Sequence, residues 1–323
     1  MEHRLLYLSR RDVEACGLEM RQIIAALEDM FREKAQGRVE MPPKPGIHPL
    51  PDAFIHAMPA FIPATGAAGL KWVSGYPQNT ARNLPYISGL LILNDPGNGL
   101  PLAVMDCTWI TARRTGAASA VAAKHLARRG SETLGILGCG VQGRSHVEAL
   151  REVLPIRRVR AYDIDPGAAR AFAEDMTEFH GLEATVAGTP REAVSGADVV
   201  VTAGPILKVP HATIRAGWLD HGAFASLVDY DSYWHADALR ELDKFCTDDI
   251  AQLEYYRSRG YFQSIPPIYA ELGELVTGQK PGRESDRERT MACNLGLALD
   301  DMATAPLVYR RALEKGVGTW LPL

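Results

Sequence analysis

The sequence has no CxxC pair and no HExxH or HxH cluster, and its five cysteines (Cys16, Cys107, Cys139, Cys246, Cys293) are odd in number and widely spaced. Such spacing excludes a disulfide framework and leads us to expect a reduced, cytoplasmic protein. Nine histidines without ligand spacing give no reason to propose a metal site. No apolar run approaches the roughly 18 residues of a membrane span. The start, MEHRLLYLSRRDVEACG, carries charges where a secretory signal would be apolar. A basic excess is missing too. Lys+Arg 35 against Asp+Glu 39 gives a net charge of -4, which leaves nothing to neutralise a nucleic-acid backbone. What remains is an ordinary globular composition, 46% hydrophobic and 23% charged over 323 residues. At roughly 150 residues each, that is about two domains.

The first third changes character often. Ser9 to Gly37 reads as one helix, with Val13, Ile23, Ile24, Leu27, Met30 and Phe31 at helical spacing. MPPKPGIHPLP cannot be helical inside. The runs AFIHAMPAFI, GLKWVSGYP and ISGLLILNDPGNGLPLAVMD read as strands, with NDPGNG a hairpin turn. This part predicts an antiparallel sheet fronted by a helix. From Thr111 the rhythm becomes helix, then strand–helix alternation over roughly 110 residues, the pattern of a parallel doubly wound sheet. The tail from Arg287 to Gly316 is helical in pattern and acid-rich midway. The expected class is α/β: a Rossmann doubly wound parallel sheet over 113–299, plus an α+β domain from 1–112 and 300–323.

Gly138-Cys139-Gly140-Val141-Gln142-Gly143 is a GxGxxG that follows the apolar strand TLGIL and opens a helix, the context that gives the string meaning. Gly138 permits the tight turn, Gly140 lets backbone approach a pyrophosphate, and Gly143 lets helix and strand pack. The N–H groups at the helix start, around Val141 and Gln142, face the phosphates. The next strand ends at Asp163, 25 residues past Gly138. A carboxylate there accepts from the ribose hydroxyls and repels a 2′-phosphate, which favours NAD(H). Its competing role is to cap the following helix, for which Asp165 is better placed.

The segments GLKWVSGYPQN, GLPLAVMDCTWITARRTGAASAVAAKHLA and LGILGCGVQGRSHVEAL resemble the ornithine cyclodeaminase/μ-crystallin family. The resemblance runs from the first helix to about Lys244 and is most specific from Gly99 to Leu150. It implies a homodimer of two-domain subunits, in which the N-terminal part and the C-terminal tail bind substrate and dimerise. The family includes cyclodeaminases, imino-acid reductases, alanine dehydrogenases and a hormone-binding crystallin, so membership does not fix the substrate. By the resemblance, Lys71 contacts substrate, Arg114 binds its carboxylate, and Asp231, after the last Rossmann strand, handles the amine and its proton. Asp229 is the alternative acid, two residues away. Thr115 faces the cofactor phosphates. Lys44 stands where relatives commonly carry Arg. His56 stands where ornithine cyclodeaminases carry an acid, which argues against ornithine chemistry.

The residue types suit hydride transfer at an amino-acid Cα. A guanidinium fork holds a carboxylate bidentately, a lysine adds charge and relays a proton, and a carboxylate stabilises the iminium nitrogen. Taken singly, each is as readily a solvated charge or a structural ion pair. Three functions stay open: an NAD(H)-dependent oxidoreductase on the C–N bond of a small amino or imino acid, an ammonia-eliminating cyclodeaminase with bound NAD, and a non-catalytic binding protein. With Lys44, His56, Lys71 and Arg114 in one pocket, and Asp231 the only acid placed opposite, positive charge is in surplus. That surplus predicts a substrate with an acidic or strongly polar side chain, or a simple small one with water filling the rest.

Overall fold

The computed structural model describes residues 3–323. In chain order it has β1 (Arg4–Leu8), α1 (Arg10–Ala15), α2 (Met20–Ala35), β2 (Gly46–Ile47), β3 (Phe54–Ile62), β4 (Ala67–Gly75), β5 (Ile87–Asn94), β6 (Pro101–Asp106) and α3 (Thr108–Leu126). Next come β7 (Thr133–Leu137), α4 (Val141–Arg151), β8 (Arg158–Tyr162), α5 (Pro166–Glu178), β9 (Glu183–Val186), α6 (Pro190–Val194), β10 (Val199–Thr202) and β11 (Phe224–Leu227). The remainder is α7 (Ala236–Leu239), β12 (Lys244–Thr247), α8 (Ile250–Ser258), β13 (Ala270–Glu271), α9 (Leu272–Val276), β14 (Thr290–Cys293), α10 (Ala298–Lys315) and β15 (Thr319–Pro322). The chain divides into two compact units, one running to Arg114 and resuming over Leu297–Leu323, the other Thr115–Gly296. Sequence had put these divisions at 112/113 and 299/300.

The first unit is a seven-stranded sheet in the order β15-β1-β6-β5-β4-β3-β2. Its pairings are antiparallel except β1 with β6. Helices α2 and α10 pack against each other, and α10 lies along β3 and β4. The large apolar residues of α2, Met20, Ile23, Ile24, Leu27, Met30 and Phe31, fall at helical spacing and are buried. The single helix expected over Ser9–Gly37 is two. Gly17, at φ +65°, ends the first turn of chain, and its N–H donates to Glu14 O. The sheet is mixed rather than antiparallel because β1 and β15, which sequence did not suggest, join its edge. Only Leu6 and Leu8 of β1 are buried and none of β15, so both are held by backbone pairing and leave little hydrophobic signature.

The second unit is an eight-stranded, all-parallel sheet in the order β13-β12-β14-β11-β10-β7-β8-β9. Every residue of β7, β10, β11, β12 and β14 is buried, as both faces of such a sheet require. Two expectations are corrected. The start of the tail, read as helix, contains β14, which lies between β12 and β11. Four buried residues, three of them apolar, carry no period that separates strand from helix. The strand before Asp229 and Asp231 is also not the last Rossmann strand, since β12, β13 and β14 follow it.

Among the described residues no helix is long and apolar enough to cross a membrane, and no group of three His, Cys, Asp or Glu could hold a metal. All five cysteines are free, buried thiols. Phe31 has no exposed surface. Phe31→Ala is expected to cost about 3–5 kcal/mol in the unfolding transition of the first unit, measured by urea denaturation.

Candidate active site

The glycine-rich turn lies at the carboxyl end of β7. Gly138 sits at φ +103°, and a Cβ there would come within 2.6 Å of Ala203 O, so both conformation and space demand glycine. A Cβ on Gly143 would lie 2.4 Å from Gly138 O, which fixes how closely α4 returns on the turn. A Cβ on Gly140 would meet no protein atom within 4 Å. Gly140 is the N-cap of α4 and offers no side-chain cap, so the helix start keeps its donors for a ligand. Asp163, after β8, accepts from the Cys139 N–H at 2.8 Å and from the Asp165 N–H at 3.0 Å. Asp165 itself caps α5. Asp163 is therefore free of helix capping and fixed beside the glycine turn. The buried Gln142 Oε1 has no hydrogen-bond partner, and Val141 is largely exposed. Thr115 is buried on α3 beside Gly116, where a Cβ would lie 2.7 Å from Ser145 O of α4. These features fit a dinucleotide: a cradle at Gly140, helix-start donors, and a carboxylate at the ribose position.

The first unit gathers the basic residues. Lys71 is the middle residue of β4, with no exposed surface, and its Nζ lies 2.6 Å from Asp301 Oδ2. Arg114 Nη1 lies 3.5 Å from Asp300 Oδ2, and its Nε lies 3.4 Å from Asp301 Oδ1. Both aspartates stand in the first turn of α10, where the helix dipole favours negative charge. Asp300 also accepts from the Leu297 N–H at 2.9 Å. Burial, then repulsion from Arg114, lowers the Lys71 ammonium, and Asp301 opposes that shift. His56 is buried and stacked on Phe54, with ring centroids 4.3 Å apart. Burial, reinforced by Lys44, His48 and Lys71, holds its imidazole down at about 3, so His56 is neutral near pH 7. Lys44 and Lys71 are thus neighbours of His56, Arg114 is a neighbour of Lys71, and His56 adds no charge to the group.

In the second unit the loop after β11 carries two acids with different environments. Asp229 accepts from Thr202 Oγ1 at 2.7 Å and from the Gly204 N–H at 3.0 Å, and burial pushes its carboxyl up to about 7. Asp231 is 7% exposed, and its Oδ1 has no hydrogen-bond partner. Burial raises its carboxyl, while its own N–H and that of Phe262 act the other way.

A family model described as the ornithine cyclodeaminase/mu-crystallin family matches residues 5–316. The chain belongs to this family. It is 38% identical over 327 residues to the alanine dehydrogenase of Archaeoglobus fulgidus, covering 97% of both chains. Among solved structures it is similar to the Thermococcus litoralis Δ1-pyrroline-2-carboxylate reductase in complex with NADH and L-proline, with TM-score 0.89 and 36% identity. That match covers 98% of this chain and 99% of the other. An archaeal alanine dehydrogenase dimer with bound NAD follows at TM-score 0.88 and 35% identity, over 99% of this chain and 100% of that one.

Within this family member, the expectation that Asp231 is the only acid available to the cations is wrong. Asp300 and Asp301 are both fully buried and both paired with them. Sequence reading missed these two because adjacent acids on a helix ordinarily mark its solvated face. The available signal was their setting, between Leu297, Leu299 and Met302 on a helix whose next residues are Ala303, Thr304 and Ala305.

Because the His56 value in the folded chain lies below the unfolded one near 6.5, the unfolded state takes up a proton that the folded state refuses. Stability is therefore full above pH 6.5 and falls as pH drops toward 3, by up to about 1.4 kcal/mol per pH unit from this residue. His56→Gln should flatten that part of the loss in urea unfolding compared at pH 7 and pH 5.

Proposed function

We propose that this chain is an NAD(H)-dependent oxidoreductase acting on the C–N bond of a small amino or imino acid with an uncharged side chain. The observation that carries the reading is the buried cluster of Lys71 and Arg114 with Asp301 and Asp300. Lys71 is tightly paired with Asp301, whereas Arg114 stands 3.4–3.5 Å from its acids, so the guanidinium is the group a substrate carboxylate would engage. Two unforeseen acids stand beside Lys71 and Arg114, and His56 is neutral, which weighs against a substrate with a second anionic group.

Gly138, Gly140, Gly143, the α4 donors, Thr115 and Asp163 would hold the dinucleotide, and the Asp163 carboxylate disfavours a 2′-phosphate. When bound, NAD(H) supplies or accepts the hydride. Arg114 would clamp the substrate carboxylate with its planar fork. Lys71, its charge set by Asp301, adds a second contact and a proton that can move. Asp231 keeps one oxygen available for the substrate nitrogen and its proton, whereas both Asp229 oxygens are already engaged. The neutral His56 offers no anion to a side-chain amine, which weighs against ornithine as substrate and so against cyclodeamination.

The unit would assemble as a homodimer through the first sheet. Trp72 and Leu90 are register partners on β4 and β5, and they are 46% and 45% exposed. The five unpaired thiols suit a cytoplasmic setting.

A substrate panel tests the reading: pyruvate with ammonium, cyclic imino acids, and ornithine or lysine, with NADH absorbance and ammonia both recorded. Neutral imino acids should show the highest kcat/KM, and NADH should bind more tightly than NADPH. Ammonia release from ornithine without net change in NADH would replace this function with the cyclodeaminase. Arg114→Lys should lower kcat/KM by some tens- to thousands-fold with NADH affinity retained. Asp231→Asn should be more damaging than Asp229→Asn, and the reverse ranking would move the role to Asp229.

A further inference from the structure

Asp229 and Asp231 are separated by one residue, yet one is locked into the fold and the other keeps an oxygen open. In an extended strand residues i and i+2 share a face, so both carboxylates would enter the same surroundings. Tyr230 prevents this: it is not glycine, yet it has φ +61°. Phe262, in the loop after α8, has φ +56°. Left-handed backbone is unfavourable for aromatic residues and persists only where packing enforces it. The packing here is explicit. Tyr230 and Phe262 are buried, with ring centroids 4.9 Å apart. The Tyr256 and Tyr261 rings lie 5.4 and 5.6 Å from Tyr230. The two strained residues meet at one carboxylate, because Tyr230 precedes Asp231 in the chain, its ring packs on that of Phe262, and the Phe262 backbone amide favours the ionised form of Asp231.

We propose that Tyr230 and Phe262 are positioning residues for the reaction: their interlocked rings hold two left-handed turns that turn the Asp231 carboxylate away from the contacts of Asp229 and leave Oδ1 for the substrate nitrogen. This rests on the role proposed above for Asp231. The clamp keeps Asp231 out of the Thr202–Gly204 loop that engages Asp229. It also fixes a carboxylate whose surroundings, Asp229 and the Cys293 thiol, supply no cation in the second unit to anchor it.

The test is steady-state kinetics on the full-length protein with pyruvate plus ammonium or Δ1-pyrroline-2-carboxylate, whichever turns over faster, and NADH. NADH affinity is followed in parallel by fluorescence. Tyr230→Gly accepts the backbone conformation but removes the ring, and should lower kcat about tenfold or more while NADH affinity holds. Tyr230→Phe keeps the ring and should restore kcat to within about twofold. Phe262→Leu probes the same clamp should Tyr230→Gly fail to fold. The deciding measurement is the double variant. Tyr230→Gly should add little to the residual rate of Asp231→Asn, since both act on one carboxylate. Equal damage by Tyr230→Gly in both backgrounds overturns the clamp, as does normal turnover of Tyr230→Gly and Phe262→Leu beside an inactive Asp231→Asn. Normal turnover of Asp231→Asn itself would remove the Asp231 reading, and the clamp with it.

Discussion

An ammonium group with no exposed surface sits in the middle of a β-strand, and that constraint organises the first unit. Lys71 cannot be charged there without a carboxylate in contact, because desolvation of an unpaired ion costs several kcal/mol even after relaxation. The carboxylate comes from Asp301, 230 residues further along the chain. The C-terminal helix must therefore return to the N-terminal sheet. Its apolar side supplies the driving force, with Leu299, Met302, Ala305 and Val308 buried, and the ion pair fixes its register along β4. Asp300 serves two needs from the same turn, accepting the Leu297 N–H and facing Arg114. A unit whose charge balance requires both chain ends is necessarily interrupted, and the parallel-sheet unit occupies the interruption.

The second unit follows its own rule. Parallel strands end together, and chemistry collects at their carboxyl ends. Gly138 follows β7, Asp163 follows β8, Ala203 and Gly204 follow β10, and Asp229 and Asp231 follow β11. Strand β7 is flanked by β8 on one side and β10 on the other, so the connections leave in opposite directions and open the crevice where the glycine turn lies. The backbone shows the same economy. Asp163 accepts from the glycine turn, and Asp229 accepts from the end of β10 through Thr202 and Gly204. These strand ends are therefore tied to their neighbours, and Asp231 is the acid whose Oδ1 stays outside that network.

What sequence made legible was local. The glycine turn was readable because its geometry is written in three glycines, a preceding apolar strand and a following helix within a dozen residues. Asp163 was readable from its distance to that turn, and Asp165 from its place before Pro166. Lys71, Arg114 and Asp231 were legible through family resemblance, since nothing in their own neighbourhoods distinguishes a buried charge from a solvated one. Asp300 and Asp301 were not legible, because their meaning depends on what α10 packs against. The same non-locality hid β14, a four-residue strand whose neighbours are β11 and β12, and β15, whose residues are all exposed. It also reversed the substrate argument. Counting cations by sequence alone left out Asp300 and Asp301, which stand beside Lys71 and Arg114 in the folded chain.

The buried cluster is poor evidence for stability and, for that reason, good evidence for function. Pairing Lys71 with Asp301 and Arg114 with Asp300 recovers at best what their desolvation costs, and apolar side chains of similar volume often serve a fold as well or better. Deleting one partner is a different matter, since an orphaned buried charge costs about 3–5 kcal/mol. A fold seeking only stability would dispense with all four. Retaining them means carrying a standing vulnerability, and the cluster has the properties that binding a carboxylate requires. Its guanidinium is held at 3.4–3.5 Å from its acids, loosely enough to exchange partners, while its ammonium is held at 2.6 Å. The neutral His56 beside Lys71 adds polarity without adding charge. Tight pairing at Lys71 and looser pairing at Arg114 are the contrast on which the proposed carboxylate clamp rests.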